Sequence, residues 1–80
     1  MPFKKIHPEK RSEPIIRQIE DMVLRGVLRT GDRLPAEREL SLQLGVSRPI
    51  LRYAVADLEA RGLLISRAGA GIFVADVWGW

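Results

Sequence analysis

Apolar side chains recur at two different periods along this chain. Between residues 12 and 62 they return every three or four positions, as on a helix with one buried face, and beyond that they cluster in two short bursts. Ile15, Ile16, Ile19, Met22 and Val23 predict a first helix over about 12–25, with Ser12 as its N-cap, Glu13 and Pro14 in the first turn and Gly26 at the C-terminal cap. Arg17–Asp21 and Asp21–Arg25 are spaced four apart on its outer face, each pair worth ~0.3 kcal/mol. Residues 27–32 read as a connector with a turn around Thr30-Gly31-Asp32, and Arg33-Leu34 suits a very short strand. Pro35 is expected at the first position of a second helix, where Glu37 and Glu39 complement the helix dipole and Leu40 and Leu44 face inward. Gly45 ends that helix, and Val46 follows as a buried connector. Ser47 caps a third helix running to about Arg61, with Leu51, Ala54, Val55 and Leu58 as its inward stripe and Gly62 as its close. Strands over 63–67 and 72–75 come next, joined by the hairpin turn Ala68-Gly69-Ala70-Gly71.

Two short helices meeting at Leu44-Gly45-Val46-Ser47 have the form of a helix-turn-helix, and the hairpin after them adds a wing. The expected fold class is therefore mainly α with a small β-hairpin, a winged helix-turn-helix of three helices plus wing. Residues 12–75 make up that domain, and residues 1–11, which lack an apolar period, read as a flexible basic arm. Asp76-Val77-Trp78-Gly79-Trp80 fits neither element. Two tryptophans there expose a large apolar surface, so either they pack on something beyond residue 80 or they fold back over the core.

Composition narrows the function. The chain has 80 residues, 46% hydrophobic and 29% charged, which suits one small globular domain. Zero cysteines exclude a disulfide scaffold and any thiolate metal site, and the single histidine, His7, cannot build a zinc-hydrolase site alone. The apolar runs are too short to span a bilayer and the N-terminus lacks a secretory signal, so a cytoplasmic protein without membrane partners is expected. The net charge of +3 is mild, but its distribution is uneven. Lys4, Lys5, Lys10 and Arg11 face only Glu9, and Arg38, Arg48, Arg52, Arg61 and Arg67 outnumber Glu39, Asp57 and Glu59 in the second half. That distribution resembles a nucleic-acid footprint, with a solvated basic face as the competing reading.

At 100° per residue, the arc of the third helix opposite its apolar stripe carries Pro49, Tyr53, Ala56 and Ala60, with Arg52 at its edge and Arg48 further round. Small residues at 56 and 60 allow close approach to another surface, as in a recognition helix entering a major groove. Arg48 opposes the helix dipole at a local penalty of ~0.3–1 kcal/mol, and nothing in the pattern requires it there. A DNA phosphate or guanine edge would supply its missing partner; the other reading is a solvated cation. Tyr53 either meets a sugar, phosphate or thymine methyl or folds over Pro49 or Asp57. Arg38 either points across the turn to the same groove or pairs with a neighbouring carboxylate.

The motifs Leu34-Pro35-Ala36-Glu37-Arg38-Glu39-Leu40, Leu44-Gly45-Val46-Ser47-Arg48, Leu58-Glu59-Ala60-Arg61-Gly62-Leu63 and Arg67-Ala68-Gly69-Ala70-Gly71-Ile72-Phe73-Val74 occur in one order and spacing. Together they resemble the GntR family of bacterial transcriptional regulators over about residues 13–75. The resemblance implies a winged helix that binds a palindromic double-stranded DNA operator as a homodimer, most often as a repressor, joined to a C-terminal domain that senses a metabolite. It places DNA contacts at Arg38, Ser47, Arg48, Pro49, Ile50 and Arg52 and at the wing tip, Ala68 and Gly69, with Arg38 and Arg48 on guanine edges and Ser47 on a phosphate; Tyr53 joins them from its position on the helix. The tryptophans after the wing resemble the linker of the FadR-type subfamily, so residues 76–80 read as the start of a linker to an effector domain outside this chain. No cofactor is expected within the 80 residues, since the metal or organic-acid effector implied by the subfamily would bind that other domain. Four positions depart from the family pattern: Pro49-Ile50 stands where hydroxyl residues are common, Tyr53 replaces a glutamate, Ala70 a basic residue and Ile72 a threonine.

An enzyme is not expected. The serines have no histidine base, Glu37 and Glu39 lie on different helix faces, and Ala68-Gly69-Ala70-Gly71 is too short for a phosphate-cradling loop. The alternative that stands beside operator binding is a winged helix that binds protein or structured RNA.

Overall fold

Three helices, α1 (Glu13–Leu24), α2 (Glu37–Leu44) and α3 (Arg48–Ala60), precede an antiparallel hairpin of β1 (Leu64–Arg67) and β2 (Gly71–Val74) in the computed structural model, which describes Phe3 and residues 12–76. The expected winged helix-turn-helix is the observed one. The stripe of α3 is inside as its period requires: Leu51, Ala54, Val55 and Leu58 are buried, and the helix packs on α1, α2 and β1. Ile15, Ile16, Ile19 and Met22 from α1, Leu40 and Leu44 from α2, and Leu64 and Val74 from the hairpin complete a single core, joined from the connectors by Leu28 and Leu34. Phe3, within the stretch read as an arm, also packs against it. The rest of that arm, and Trp78 and Trp80, lie outside the described residues.

The turn between α2 and α3 shows how local chemistry sets the helix-turn-helix angle. Gly45 takes φ 71°, the left-handed region where a Cβ is penalised, and the amides of Gly45 and Val46 both donate to the Ser41 carbonyl. Two residues later the Ser47 hydroxyl accepts a hydrogen bond from the Ile50 amide at 3.4 Å and starts α3 as its N-cap.

Several expectations fail locally. Ser12 occupies the N-cap position of α1, but its backbone is already helical and its side chain makes no capping bond; only its carbonyl serves the helix, accepting from the Ile16 amide at 3.0 Å. Pro35 does not open α2. The helix begins at Glu37 with Ala36, at ψ 153°, as its cap, and the chain before it is still paired with the wing, the Leu34 amide donating to the Ile72 carbonyl at 2.8 Å. That bond and the Arg33–Phe73 bridge realise the short strand expected at Arg33-Leu34. Val46 is half-buried rather than buried. On α1 the Asp21–Arg25 pair forms at 3.1 Å, whereas no Arg17–Asp21 pair occurs among the described residues.

The hairpin register pairs Leu64 with Val74 and Arg67 with Gly71, leaving Ala68-Gly69-Ala70 as the tip. A third segment lies alongside it: Gly31 donates to the Val74 carbonyl and Val74 donates back to Asp32, at 2.8 and 2.9 Å. The wing is thereby laced to the chain that leads into α2.

Candidate nucleic-acid interface

Because Leu51, Ala54, Val55 and Leu58 turn the apolar face of α3 inward, the 3.6-residue period turns Pro49, Arg52, Tyr53 and Ala56 outward; Arg48 lies nearer the stripe but opens to solvent as the first residue of the helix, and all five are exposed. Tyr53 is 74% exposed, so its ring stands in solvent rather than folding over Pro49 or Asp57. Ile50 is different: it is half-buried and packs against the core, so only part of its side chain is available at the surface. Ala60 is exposed further along the helix.

Arg48 and Arg52 are exposed but not unpaired. Glu37, at the start of α2, lies between them: Arg48 donates from Nε to Oε1 at 2.7 Å, and Arg52 donates from Nε to Oε2 at 2.8 Å and from Nη2 to Oε1 at 3.2 Å. The fold therefore does supply Arg48 with a partner, contrary to the expectation from the pattern. Hydrogen bonds from Arg52 first, then from Arg48, hold the Glu37 carboxyl below the usual carboxylate range, and the same contact raises Arg52. The sequence pattern marks Glu37 only as a complement to the helix dipole. One available signal was that two arginines four apart on a helix repel by ~0.2–0.5 kcal/mol unless an anion sits between them.

The other cations divide. Arg38 is exposed, and among the described residues it forms no ion pair, which removes the neighbouring carboxylate as its partner; its carbonyl accepts from Ser41 Oγ at 2.9 Å. Arg61 is drawn away from the arc, donating to Asp57 Oδ1 at 2.8 Å and to Glu20 Oε2 of α1 at 3.0 Å. Those contacts, that with Asp57 foremost, raise its pKa. Ala68 and Gly69 are exposed at the wing tip, where Gly69 has φ 74°. Among the described residues no group of three or more His, Cys, Asp and Glu side chains could hold a metal ion, and no helix is long and apolar enough to cross a membrane.

Three helices, a wing and an outward arginine-bearing third helix define the class as winged helix-turn-helix proteins. The chain belongs to the gntR family of bacterial regulatory proteins, whose pattern residues 11–74 match. It is 43% identical over 58 residues to the Uxu operon transcriptional regulator of Escherichia coli K12, covering 72% of this chain and 23% of that protein. It is 39% identical over 64 residues to the histidine utilization repressor of Klebsiella aerogenes, covering 80% and 27% respectively. The chain thus spans less than a third of the length of these curated relatives. Among solved structures, the AraR DNA-binding domain in complex with operator ORX1 superposes with a TM-score of 0.79 at 36% identity, covering 82% of this chain and 80% of that one.

Proposed function

We propose that this chain is the operator-binding module of a bacterial transcriptional regulator and that α3 enters the major groove of double-stranded DNA. The observation that carries the reading is the exposed surface at the N-terminal half of α3, where Pro49 and Tyr53 stand opposite the buried stripe and Arg52 and Arg48 flank them. The likeness to a domain crystallised on its operator supports it. In this arrangement Arg38 and Arg48 read guanine edges, Ser47 hydrogen-bonds a phosphate while capping α3, and Arg52 holds a phosphate. Pro49, the open part of Ile50 and Tyr53 supply contacts to sugar and thymine methyl groups. The wing tip at Ala68 and Gly69 approaches with backbone only, since Ala70 carries no charge.

The parent regulator, in this reading, is a cytoplasmic repressor that binds a palindromic operator as a homodimer. Its effector, an organic acid or a metal, binds residues outside this chain.

Selection of duplexes from a randomised pool by the 80-residue chain, followed by shift assays against duplex and structured-RNA competitors, tests the reading. The expected result is an enriched motif whose binding resists RNA. No enrichment, or equal competition by RNA, would replace operator binding with an RNA- or protein-interaction module.

A further inference from the structure

We propose that Glu37 is a positioning residue for DNA recognition: its carboxylate holds the guanidinium groups of Arg48 and Arg52 together and turns their free edges outward. The inference rests on the operator-binding reading and assigns selectivity within it to a residue on the other helix of the motif.

The hydrogen-bond pattern carries the argument. Both arginines spend their Nε donors on Glu37, and Arg52 adds one N–H of Nη2 to complete a side-on fork. What each guanidinium keeps is its outer edge, the pair of parallel N–H groups on Nη1 and Nη2. On Arg48 that edge is the one that matches O6 and N7 of guanine, and on Arg52 it faces a phosphate. A guanidinium fixed in this way has less rotamer freedom to lose when it docks.

Charge acts in the same direction. Arg48 and Arg52 together bring two positive charges to the arc, and Glu37 cancels one of them within hydrogen-bond distance. Attraction to phosphates, which is blind to sequence, is weakened, while the edge that reads bases stays available. Glu37 therefore raises the ratio of cognate to random binding through both orientation and charge. Glu39, two residues on, supplies an internal comparison. It is exposed on the same helix and accepts a hydrogen bond from Gln43 at 3.2 Å, with no arginine partner among the described residues.

The test uses the 80-residue chain, a duplex selected by the wild type and a random duplex, with salt titrations on both and thermal melts to verify folding. Glu37→Gln is expected to bind random duplex several-fold more tightly at low salt, with a slope steeper by about one unit. Its ratio of cognate to random affinity is expected to fall about ten-fold, within the range set by one bidentate base contact. Glu39→Gln removes the same charge from the same helix and should leave the ratio within about two-fold of wild type. Glu37→Asp keeps the charge but withdraws the carboxylate by one methylene; its ratio should fall while random binding stays unchanged, and it decides the matter if Glu37→Gln melts too low to assay. A Glu37→Gln ratio within two-fold of wild type, an equal fall in Glu39→Gln, or a wild-type ratio in Glu37→Asp overturns the proposal. A wild type with no preference between the two duplexes defeats operator binding itself, and the role of Glu37 with it.

Discussion

Leu51 and Arg52 are neighbours in the chain, yet Leu51 is 0% exposed while Arg52 stands in solvent with its guanidinium on another helix. The first half of that contrast is legible in the sequence, because a helical period needs only local spacing. The second half is not, since Glu37 lies 11 and 15 residues from its two partners and meets them only through the angle at which α2 and α3 cross. Two expectations follow for single residues. Alanine at Arg38 or Arg48 should cost ~1–3 kcal/mol on the selected site and much less on random duplex, whereas Arg52→Ala should weaken both alike and flatten the salt slope by about one unit. Binding isotherms that show equal losses on both duplexes for all three would remove base reading. The second expectation concerns acid. Glu37 is held below the usual carboxylate range by its arginines, so its contribution to stability is present above the unfolded-chain value and is lost as pH falls through the lower folded one. As pH falls below the ordinary glutamate value, the thermal midpoint of the wild type should therefore drop more steeply than that of Glu37→Gln, and the two curves should converge. Curves that stay parallel would show that the contact adds nothing to the folded state.

Among the elements, the helices were readable to within a residue or two, and the chemistry that starts each one was not. Ser47 and Ser12 look alike in sequence, but only Ser47 caps: its backbone is extended, with ψ 156°, whereas Ser12 is already in the helical region. Pro35 resembles a helix-opening proline, yet the helix starts two residues later, after a segment whose Leu34 amide is bonded to the wing 38 residues away, a contact that no local pattern contains. The wing itself was legible from its glycines, and its tip is where a charge is missing. Ala70 is exposed between Gly69 and Gly71, so a basic side chain there would displace counterions without disturbing the turn. Ala70→Arg is expected to tighten binding several-fold at low salt on cognate and random duplex together, with stability unchanged within about 0.5 kcal/mol. Paired salt titrations check it, and an unchanged affinity would mean that the wing stays clear of DNA.

At the scale of the whole molecule, the largest dimension of the described residues is 32 Å, about one turn of a DNA duplex. One chain can cover one half-site, so a palindrome requires two. The described helices, of 8 to 13 residues, offer no long seam for a dimer. The isolated chain is therefore expected to be a monomer or at most a weak dimer, binding a two-site duplex far more weakly than a covalently linked pair would. Light scattering that finds a tight dimer at micromolar concentration would defeat this. The lacing of residues 31–34 to the wing bears on how such a chain opens. Amides at Gly31, Leu34 and Val74 donate across that seam, so the hairpin cannot peel away without uncovering the segment that leads into α2. Deuterium should thus enter these three amides at the slow rate of the α3 interior, in a single cooperative opening, rather than early and separately as from a hairpin that melts alone.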